Sequence, residues 1–250
     1  LYETQDCLRI SEIDGGSLRN AIPRESFSLI TVYDSKKTEF LKKIRKVSKA
    51  IKQELQTVDP NREIEITEID APTRVMTTIS QTTLLSILYA AHNGVYRMSP
   101  DMEDLVETSN NIARVIVKNE ELKILCLTRS SVESSKFDLA NKLKATFELA
   151  GYEVTLSGAY PGWKPNVESP ILKVMTVTYE KLFNSKPNVV ACHAGLECGI
   201  LGTNYPEMDM ISFGPTIQGA HSPDEKANIK SVQKFWRFLK TILENIPVKS

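Results

Sequence analysis

The chain has 250 residues, its 31 Lys and Arg balance 31 Asp and Glu, and 41% of it is hydrophobic. A net charge of zero gives no support for nucleic acid or a membrane surface as a partner, and no apolar run approaches the roughly 20 residues of a bilayer-spanning helix. The length and composition are typical of one large globular domain or two modest ones.

Four cysteines lie far apart in the sequence, with no C-x-x-C pair. This spacing predicts free thiols in a reducing compartment, and hence a cytoplasmic protein. The chain begins with Leu1 rather than Met and enters in the middle of a strand-like pattern. We therefore expect it to be part of a longer protein.

Strand and helix patterns alternate over the first 158 residues. Runs rich in β-branched residues or alternating in polarity predict strands, and apolar residues at steps of three and four predict helices. The predicted strands are 27–33, 62–69, 112–118, 123–130 and 152–158, and the predicted helices are 36–58, 79–91 and 134–150.

The segment 159–170 is the best candidate for a domain boundary, because three prolines and a glycine in a dozen residues continue neither kind of element. Ser169 and Pro170 have the residue types of an N-cap and a first helical position, and a helix to about residue 183 follows. Two central strands, 188–195 and 207–214, and a helix over 228–246 complete the pattern. The order of elements along the whole chain predicts an α+β region over 1–160 and a layered α/β region over 161–250.

His221 lies in a turn of small residues after a predicted strand and a Gly214-Pro215 break, close to Asp224 and Glu225. A strand-to-helix loop suits a metal ligand or an acid/base group, since rigid elements hold the side chain in reach of a ligand. No second ligand stands at helical spacing, so the spacing alone also allows a structural histidine.

Other candidates follow predicted strands or turns. His193 and Gly195 begin a loop whose amides can hold an anion, and Glu197 suits a supporting acid or a ligand for a substrate amine. A tight turn with a surface glutamate explains the same pattern. Asn20, between Arg19 and Arg24, and Arg129 are the remaining candidates. A guanidinium pairs well with a carboxylate, although a surface position is the simpler explanation for each arginine taken alone.

Several longer strings occur in a fixed order and are rare. They are "GGSLRNAIPRE", "NGVYRMSPDMEDLVETSNN", "RSSVESS", "YPGWKPN", "HAGLECG", "DMISFGPTIQGAHSPDE" and "SVQKFWRFL". In these strings the chain resembles, over essentially its whole length, the bacterial aminoacyl-histidine dipeptidases. That family belongs to the co-catalytic zinc aminopeptidase/carboxypeptidase superfamily.

The resemblance implies a lid domain, incomplete at its start, over 1–160 and the C-terminal portion of a catalytic domain over 161–250. It also implies two zinc ions in the intact enzyme. The general base and most metal ligands belong to the family's N-terminal half, so no catalytic residue is expected in this chain.

The resemblance assigns roles to individual positions. His221, in "GAHSPDE", matches the final metal ligand. Asn20 and Arg129 match lid residues that hold the substrate or its tetrahedral intermediate. Gly195, in "HAGLE", matches a glycine whose backbone contacts the substrate, and Glu197 lies in the same motif.

The function that the resemblance implies is metal-dependent hydrolysis of Xaa-His dipeptides, of the carnosine type, by the intact parent protein. The partners it implies are a small dipeptide, the missing N-terminal half of the same protein and a second copy in a homodimer. We expect the chain to be inactive by itself. The alternatives are a non-catalytic lid or assembly fragment and a substrate-binding module.

Overall fold

The computed structural model of the protein describes residues 2–191, 197–220 and 224–246. It shows a mixed α/β fold, and this confirms the predicted fold class. The strands are β1 (Leu8–Gly16), β2 (Ser26–Val32), β3 (Gly94–Met98), β4 (Val106–Lys118), β5 (Glu121–Ser130), β6 (Ile217–Gln218) and β7 (Lys226–Ala227). The helices are α1 (Lys37–Glu54), α2 (Thr78–Ala90), α3 (Glu133–Leu149), α4 (Pro170–Phe183), α5 (Glu197–Asn204) and α6 (Ile229–Glu244), with short 3-10 turns at Tyr2–Thr4 and Asp34–Lys36.

Five strands form one sheet in the order β2, β1, β4, β3, and β5 also pairs with β4. The pairs β1–β2 and β1–β4 are antiparallel. The β1–β2 register shifts by one residue between Ile10 and Glu12, as at a β-bulge. Only the end of β1, from Ile13 to Gly16, is in register with β4.

A buried glutamine completes the start of β1, which β4 does not reach. Oε1 of Gln81, on α2, accepts from the N–H of Ile10 at 2.8 Å, and its Nε2 donates to the carbonyl of Leu8 at 3.2 Å. The N–H of Met76 donates to the carbonyl of Ile10 at 2.7 Å. These bonds satisfy backbone groups that would otherwise be buried without a partner, and they fix α2 against the sheet.

Close contacts divide the chain into two compact units, and each is assembled from separate stretches. The first unit consists of residues 1–94, 110–127 and 140–155, and the second of residues 95–109, 128–139 and 156–250. The strands β4 and β5 and the helix α3 each contribute residues to both units. The predicted domain boundary near residue 160 stays a prediction.

The core of the first unit lies between its sheet and its helices. The side chains buried there come from the start of β1, the middle of β4 and one face of each helix. They are Cys7, Leu8, Ile10, Ile13, Phe40, Leu84, Leu85, Ile87, Ala91, Ala113, Val117, Leu143 and Phe147.

Aromatic side chains hold α4 and α6 together in the second unit. Tyr179 and Phe238 meet edge to face, with ring centroids 5.3 Å apart, and Phe213 packs on Phe238 at 5.6 Å. Such pairs contribute about 0.5–1.5 kcal/mol each beyond their buried area. Ser169, whose Oγ accepts from the N–H of Leu172, caps α4 as predicted.

The helices α1, α2, α3, α4 and α6 and the β4–β5 hairpin confirm the sequence prediction to within a few residues. The strands predicted over 62–69, 152–158 and 207–214 are wrong, because these residues join no sheet in the structure. An alternating pattern indicates which side chains share a face, but a strand also needs a neighbour for its hydrogen bonds. The strand predicted over 188–195 lies partly outside the described residues, and 188–191 are not in a sheet.

Candidate active site

Arg129 is the next-to-last residue of β5, at the end of a strand that the sheet holds in place. The side chain is half-buried, and its Nε is buried without an acceptor among the residues that the structure describes. A buried N–H that makes no hydrogen bond is costly, by about 1–3 kcal/mol. A guanidinium donor of this kind is open to an acceptor from outside the described residues, such as a carboxylate.

Buried hydroxyl groups fix the backbone just after Arg129. The hydroxyls of Ser130 and Thr108, both buried, lie 2.8 Å apart. The Oγ of Ser130 also accepts from the N–H of Val132 at 3.0 Å, and the N–H of Ser131 donates to the carbonyl of Glu107 at 3.1 Å. Side chains alternate along a strand, so Arg129 lies on the opposite face from this hydroxyl pair.

Arg97 of β3 makes a second link to the same region. Its Nη1 donates to the Oγ of Ser135, on α3, at 2.8 Å and lies 3.7 Å from the buried carboxylate of Glu107. The guanidinium therefore joins β3, the start of β4 and the start of α3. Its own hydrogen bond to Ser135 makes Arg97 a structural residue in this arrangement.

Glu133 and Lys136, on the first turns of α3, bind the backbone of the segment 160–162. The carboxylate of Glu133 accepts from Nζ of Lys136 at 2.7 Å and from the N–H of Gly162 at 3.2 Å. Nζ of Lys136 also donates to the carbonyl of Tyr160 at 2.6 Å. Burial acts to raise the pKa of Glu133, but the hydrogen bonds from Lys136 and Gly162 and the lysine charge outweigh it, and the pKa is lowered.

Glu197 is the first residue of α5, and its side chain is exposed. A carboxylate at a helix N-terminus is favourably placed with respect to the helix dipole. Two residues further on, Gly199 is buried, and a Cβ there would lie 2.5 Å from the carbonyl oxygen of Pro161. The start of α5 therefore lies directly on the segment 160–162.

Asn20 lies in the exposed turn between β1 and β2, in the first unit. This turn is anchored from β4, where Nδ2 of Asn111 donates to the carbonyl of Ala21 at 2.7 Å. Arg129 and Glu197 belong to the second unit. Asn20 is thus held on a fixed turn and presents its amide to solvent.

Two predicted site residues, Gly195 and His221, lie outside the described residues, as does His193. The described residues on either side of His221 are paired: Ile217 lies opposite Ala227 and Gln218 opposite Lys226 in the β6–β7 ladder. The helix α6 follows at once, capped by Asn228, whose Oδ1 accepts from the N–H of Ser231 at 2.9 Å. The roles of Gly195 and His221 stay predictions.

Within the described residues, the group with metal-ligand geometry is Asp6, Cys7 and Glu39. It does not fit a zinc site. Nζ of Lys43 lies 3.0 Å from Glu39 and 3.6 Å from Asp6, so a cation already occupies the space between the carboxylates. Burial raises the pKa of the Cys7 thiol, which disfavours the thiolate that zinc requires.

Lys36 and Lys43 also explain why the pKa of Glu39 is low. The hydrogen bonds from Lys36 and Lys43, reinforced by their charges, lower its pKa to about 2. The group is a local ion-pair network between α1 and the residues before β1.

Cys7, Cys126 and Cys198 are free thiols, as the sequence spacing predicted, and burial raises the pKa of Cys126.

The sequence did not single out Glu133 or Lys136. Their spacing of three is ordinary for a helical ion pair, and lysines are usually exposed. The evidence for Lys136 comes from the structure, where its side chain is only 9% exposed.

Among the described residues, no helix combines the length and apolar character needed to cross a bilayer.

The sequence model of Peptidase family M20/M25/M40 matches residues 24–245. The cytosol non-specific dipeptidase of Escherichia coli (strain K12) is 39% identical over 242 residues, which are 97% of this chain and 50% of that protein. The crystal structure of the aminoacylhistidine dipeptidase from Vibrio alginolyticus superposes with a TM-score of 0.83 at 39% identity, and the match covers 99% of this chain and 51% of that one. The chain thus spans about half the length of these relatives. These matches confirm the resemblance drawn from the motifs: the chain belongs to peptidase family M20/M25/M40.

Proposed function

We propose that the full-length protein containing this chain is a metal-dependent dipeptidase that hydrolyses Xaa-His dipeptides. Support comes from the family and from two relatives that both bear the name dipeptidase. The relatives differ in breadth: one is called non-specific and the other aminoacylhistidine. The preference for a C-terminal histidine is therefore the finer part of the proposal, and the motifs of the sequence support it.

The observation that carries the proposal is the buried Nε of Arg129, which has no acceptor within the described part of the chain. A dipeptide ends in a free carboxylate, next to its last side chain. A guanidinium binds a carboxylate with two parallel hydrogen bonds. The rigid end of β5 holds the guanidinium at a defined place. Arg129 is thus the residue that would select a dipeptide by its free carboxylate.

The other site residues have complementary chemistry. The amide of Asn20 would donate to the developing oxyanion, and the Gly195 backbone would contact the substrate. Glu197, exposed at the start of α5, would accept from the substrate ammonium group.

His221 would be one zinc ligand in the full-length protein, in keeping with its motif "GAHSPDE". As the resemblance implies, the remaining ligands would come from the rest of the protein. We place the protein in the cytoplasm, as a homodimer, on the basis of its free thiols, the word cytosol in the name of the Escherichia coli relative and the family resemblance.

The test compares full-length wild-type protein with Arg129→Met on an Xaa-His dipeptide, a matched Xaa-Ala dipeptide and the Xaa-His amide. Wild type should prefer the free acid with C-terminal histidine. Loss of one charge-assisted recognition, about 1.5–3 kcal/mol, should raise KM for the free acid by roughly 10–100-fold and leave the amide unchanged.

Arg74→Met is the matched control, because Arg74 is 80% exposed and pairs with Glu120 at the surface. It should leave all three substrates unaffected. No dipeptide turnover by the wild-type protein would reject the proposed activity. Equal KM changes for acid and amide would reject the role of Arg129.

A further inference from the structure

We propose that Lys136 and Glu133 are positioning residues for substrate binding: with the backbone of residues 160–162 they form a clasp that sets the place of Arg129 relative to α5. The inference rests on the proposed function, since it concerns how that site recognises the substrate carboxylate. All the residues of the clasp belong to the second compact unit.

One side of the clasp is ionic. Nζ of Lys136 bridges the carboxylate of Glu133 at 2.7 Å and the carbonyl of Tyr160 at 2.6 Å, and Glu133 in turn accepts from the N–H of Gly162 at 3.2 Å. The segment 160–162 is therefore bound at both of its ends by two side chains from the first turns of α3. Those turns begin three residues after Ser130, the last residue of β5.

The other side of the clasp is steric. A Cβ at Gly162 would lie 2.6 Å from the carbonyl oxygen of Ser131, so this backbone rests against the turn that follows Arg129. A Cβ at Gly199 would lie 2.5 Å from the carbonyl oxygen of Pro161, so the same segment also rests against α5. The segment 160–162 therefore contacts both the turn after β5 and the start of α5, and in the clasp it acts as a spacer for these two elements.

The burial of Lys136 argues for a positional role. Its side chain is 9% exposed, and its Nζ lies 5.3 Å from the ring centroid of Phe137. A buried ammonium group loses its hydration, and an apolar residue of similar volume often stabilises a fold as well or better. Unlike an apolar side chain, the ammonium group donates a directed hydrogen bond to the carbonyl of Tyr160. That bond fixes the spacer, and the spacer fixes the separation between Arg129 and the α5 turn that carries Glu197.

The consequence is specific to substrates with a free carboxylate and a free ammonium group. If the clasp loosens, Arg129 and Glu197 no longer match the two ends of a dipeptide at once. KM for the dipeptide should then rise more than kcat falls. A substrate that lacks the carboxylate should be insensitive, because it does not use Arg129.

The experiment uses full-length Lys136→Met, Glu133→Gln and Arg129→Met, with kcat and KM measured on an Xaa-His dipeptide and its amide. Lys136→Met keeps the length of the side chain and removes the charge, and its KM for the dipeptide should rise about tenfold, at the lower end of the range expected for Arg129→Met. Glu133→Gln retains acceptors for both donors and should show a smaller change in the same direction. Lys144→Met, on the same helix and paired with Glu148 at 3.7 Å on the surface, is the control and should behave as wild type.

The outcomes separate this inference from the proposed function. A selective rise in KM for the dipeptide in both Arg129→Met and Lys136→Met supports the clasp. A selective rise in Arg129→Met alone, with Lys136→Met folded and normal, overturns the clasp and leaves the proposed function standing. If Lys136→Met does not fold, Glu133→Gln decides in the same way. No selectivity in any variant, or a change in Lys136→Met without one in Arg129→Met, overturns the clasp together with the role of Arg129.

Discussion

At the level of single residues, two glycines determine how closely three backbone segments approach one another. Gly162 and Gly199 are both in places where a Cβ would fall below 3.0 Å from a carbonyl oxygen. Neither has a left-handed backbone, so the requirement is for space and not for conformation. The atoms in the way belong to the backbone, and they cannot turn aside as a flexible side chain can.

Gly162→Ala should lower the stability of the full-length protein by about 1–3 kcal/mol, because the methyl group forces the backbone of Ser130 and Ser131 to move. Thermal unfolding of the variant beside wild type measures the effect. Gly214→Ala is the control, since no heavy atom lies within 4 Å of its Cβ position and its backbone is not left-handed. Equal melting temperatures for the two variants would show that Gly162 is not tightly packed.

At this scale the sequence proposes Arg129 and Glu197 as site residues, and their roles stay predictions. Arg129 stands at the end of a largely apolar strand and Glu197 comes two residues after Gly195, and such positions are where α/β proteins carry binding groups. Lys136 was not predictable, because one lysine of a helix cannot be told from the next until the neighbouring segment is placed against it. Its role depends on Tyr160, which is 24 residues away in sequence.

At the level of elements, the β4–β5 hairpin shows how a turn fixes register. The two residues between the strands, Asn119 and Glu120, have φ angles of 51° and 68°. Two left-handed residues in succession are the geometry of a type I′ turn, which matches the twist of the strands. Asparagine tolerates this backbone, whereas glutamate pays a steric penalty.

Glu120→Gly should stabilise the protein by about 1 kcal/mol, because it relieves a left-handed residue and creates the preferred Asn-Gly turn. Urea unfolding of the variant and of wild type gives the difference. Arg74→Met measures the contribution of the exposed Arg74–Glu120 ion pair separately. Glu121→Gly, in the first position of β5, is the matched control and should destabilise instead. A loss of stability in Glu120→Gly beyond that of Arg74→Met would contradict the steric argument.

Helices were predicted better than strands, and the reason is physical. A helix such as α4 carries its own hydrogen bonds and its own cap at Ser169, so local residues determine it. Residues 62–69 alternate like a strand, yet they line an open groove together with β2 and α1, and within the described residues they join no sheet. Local sequence specifies the alternation, and only a neighbour within hydrogen-bonding distance makes it a strand.

At the level of the whole molecule, the second unit exposes many large apolar side chains. Trp236 is 61% exposed and Ile229 is 76% exposed on α6, and Val190, which precedes α5 in the chain, is 73% exposed. Exposed apolar surface of this extent favours a partner that covers it. The relatives are about twice as long as this chain, so the remainder of the full-length protein is our proposed partner.

The 250-residue chain by itself should not hydrolyse an Xaa-His dipeptide, even with added zinc. His221 is a single predicted ligand, and the Asp6–Cys7–Glu39 group is already neutralised by lysines. The full-length protein should bind zinc and turn over the dipeptide, and His221→Ala in it should lower the zinc content. Zinc analysis and product release on all three samples test this. Turnover by the isolated chain would contradict the assignment of the catalytic groups to the rest of the protein.

The interleaving of the two compact units restricts how evolution or an experimenter can divide this protein. The chain passes between the units after residues 94, 109, 127, 139 and 155. Cleavage of any one connection leaves the other four intact, so a single cut would not release either unit. No continuous stretch of the gene encodes one unit alone. Exchange of either unit with another protein would therefore require several splice points. Inheritance of the two units together, as one stretch of gene, is simpler.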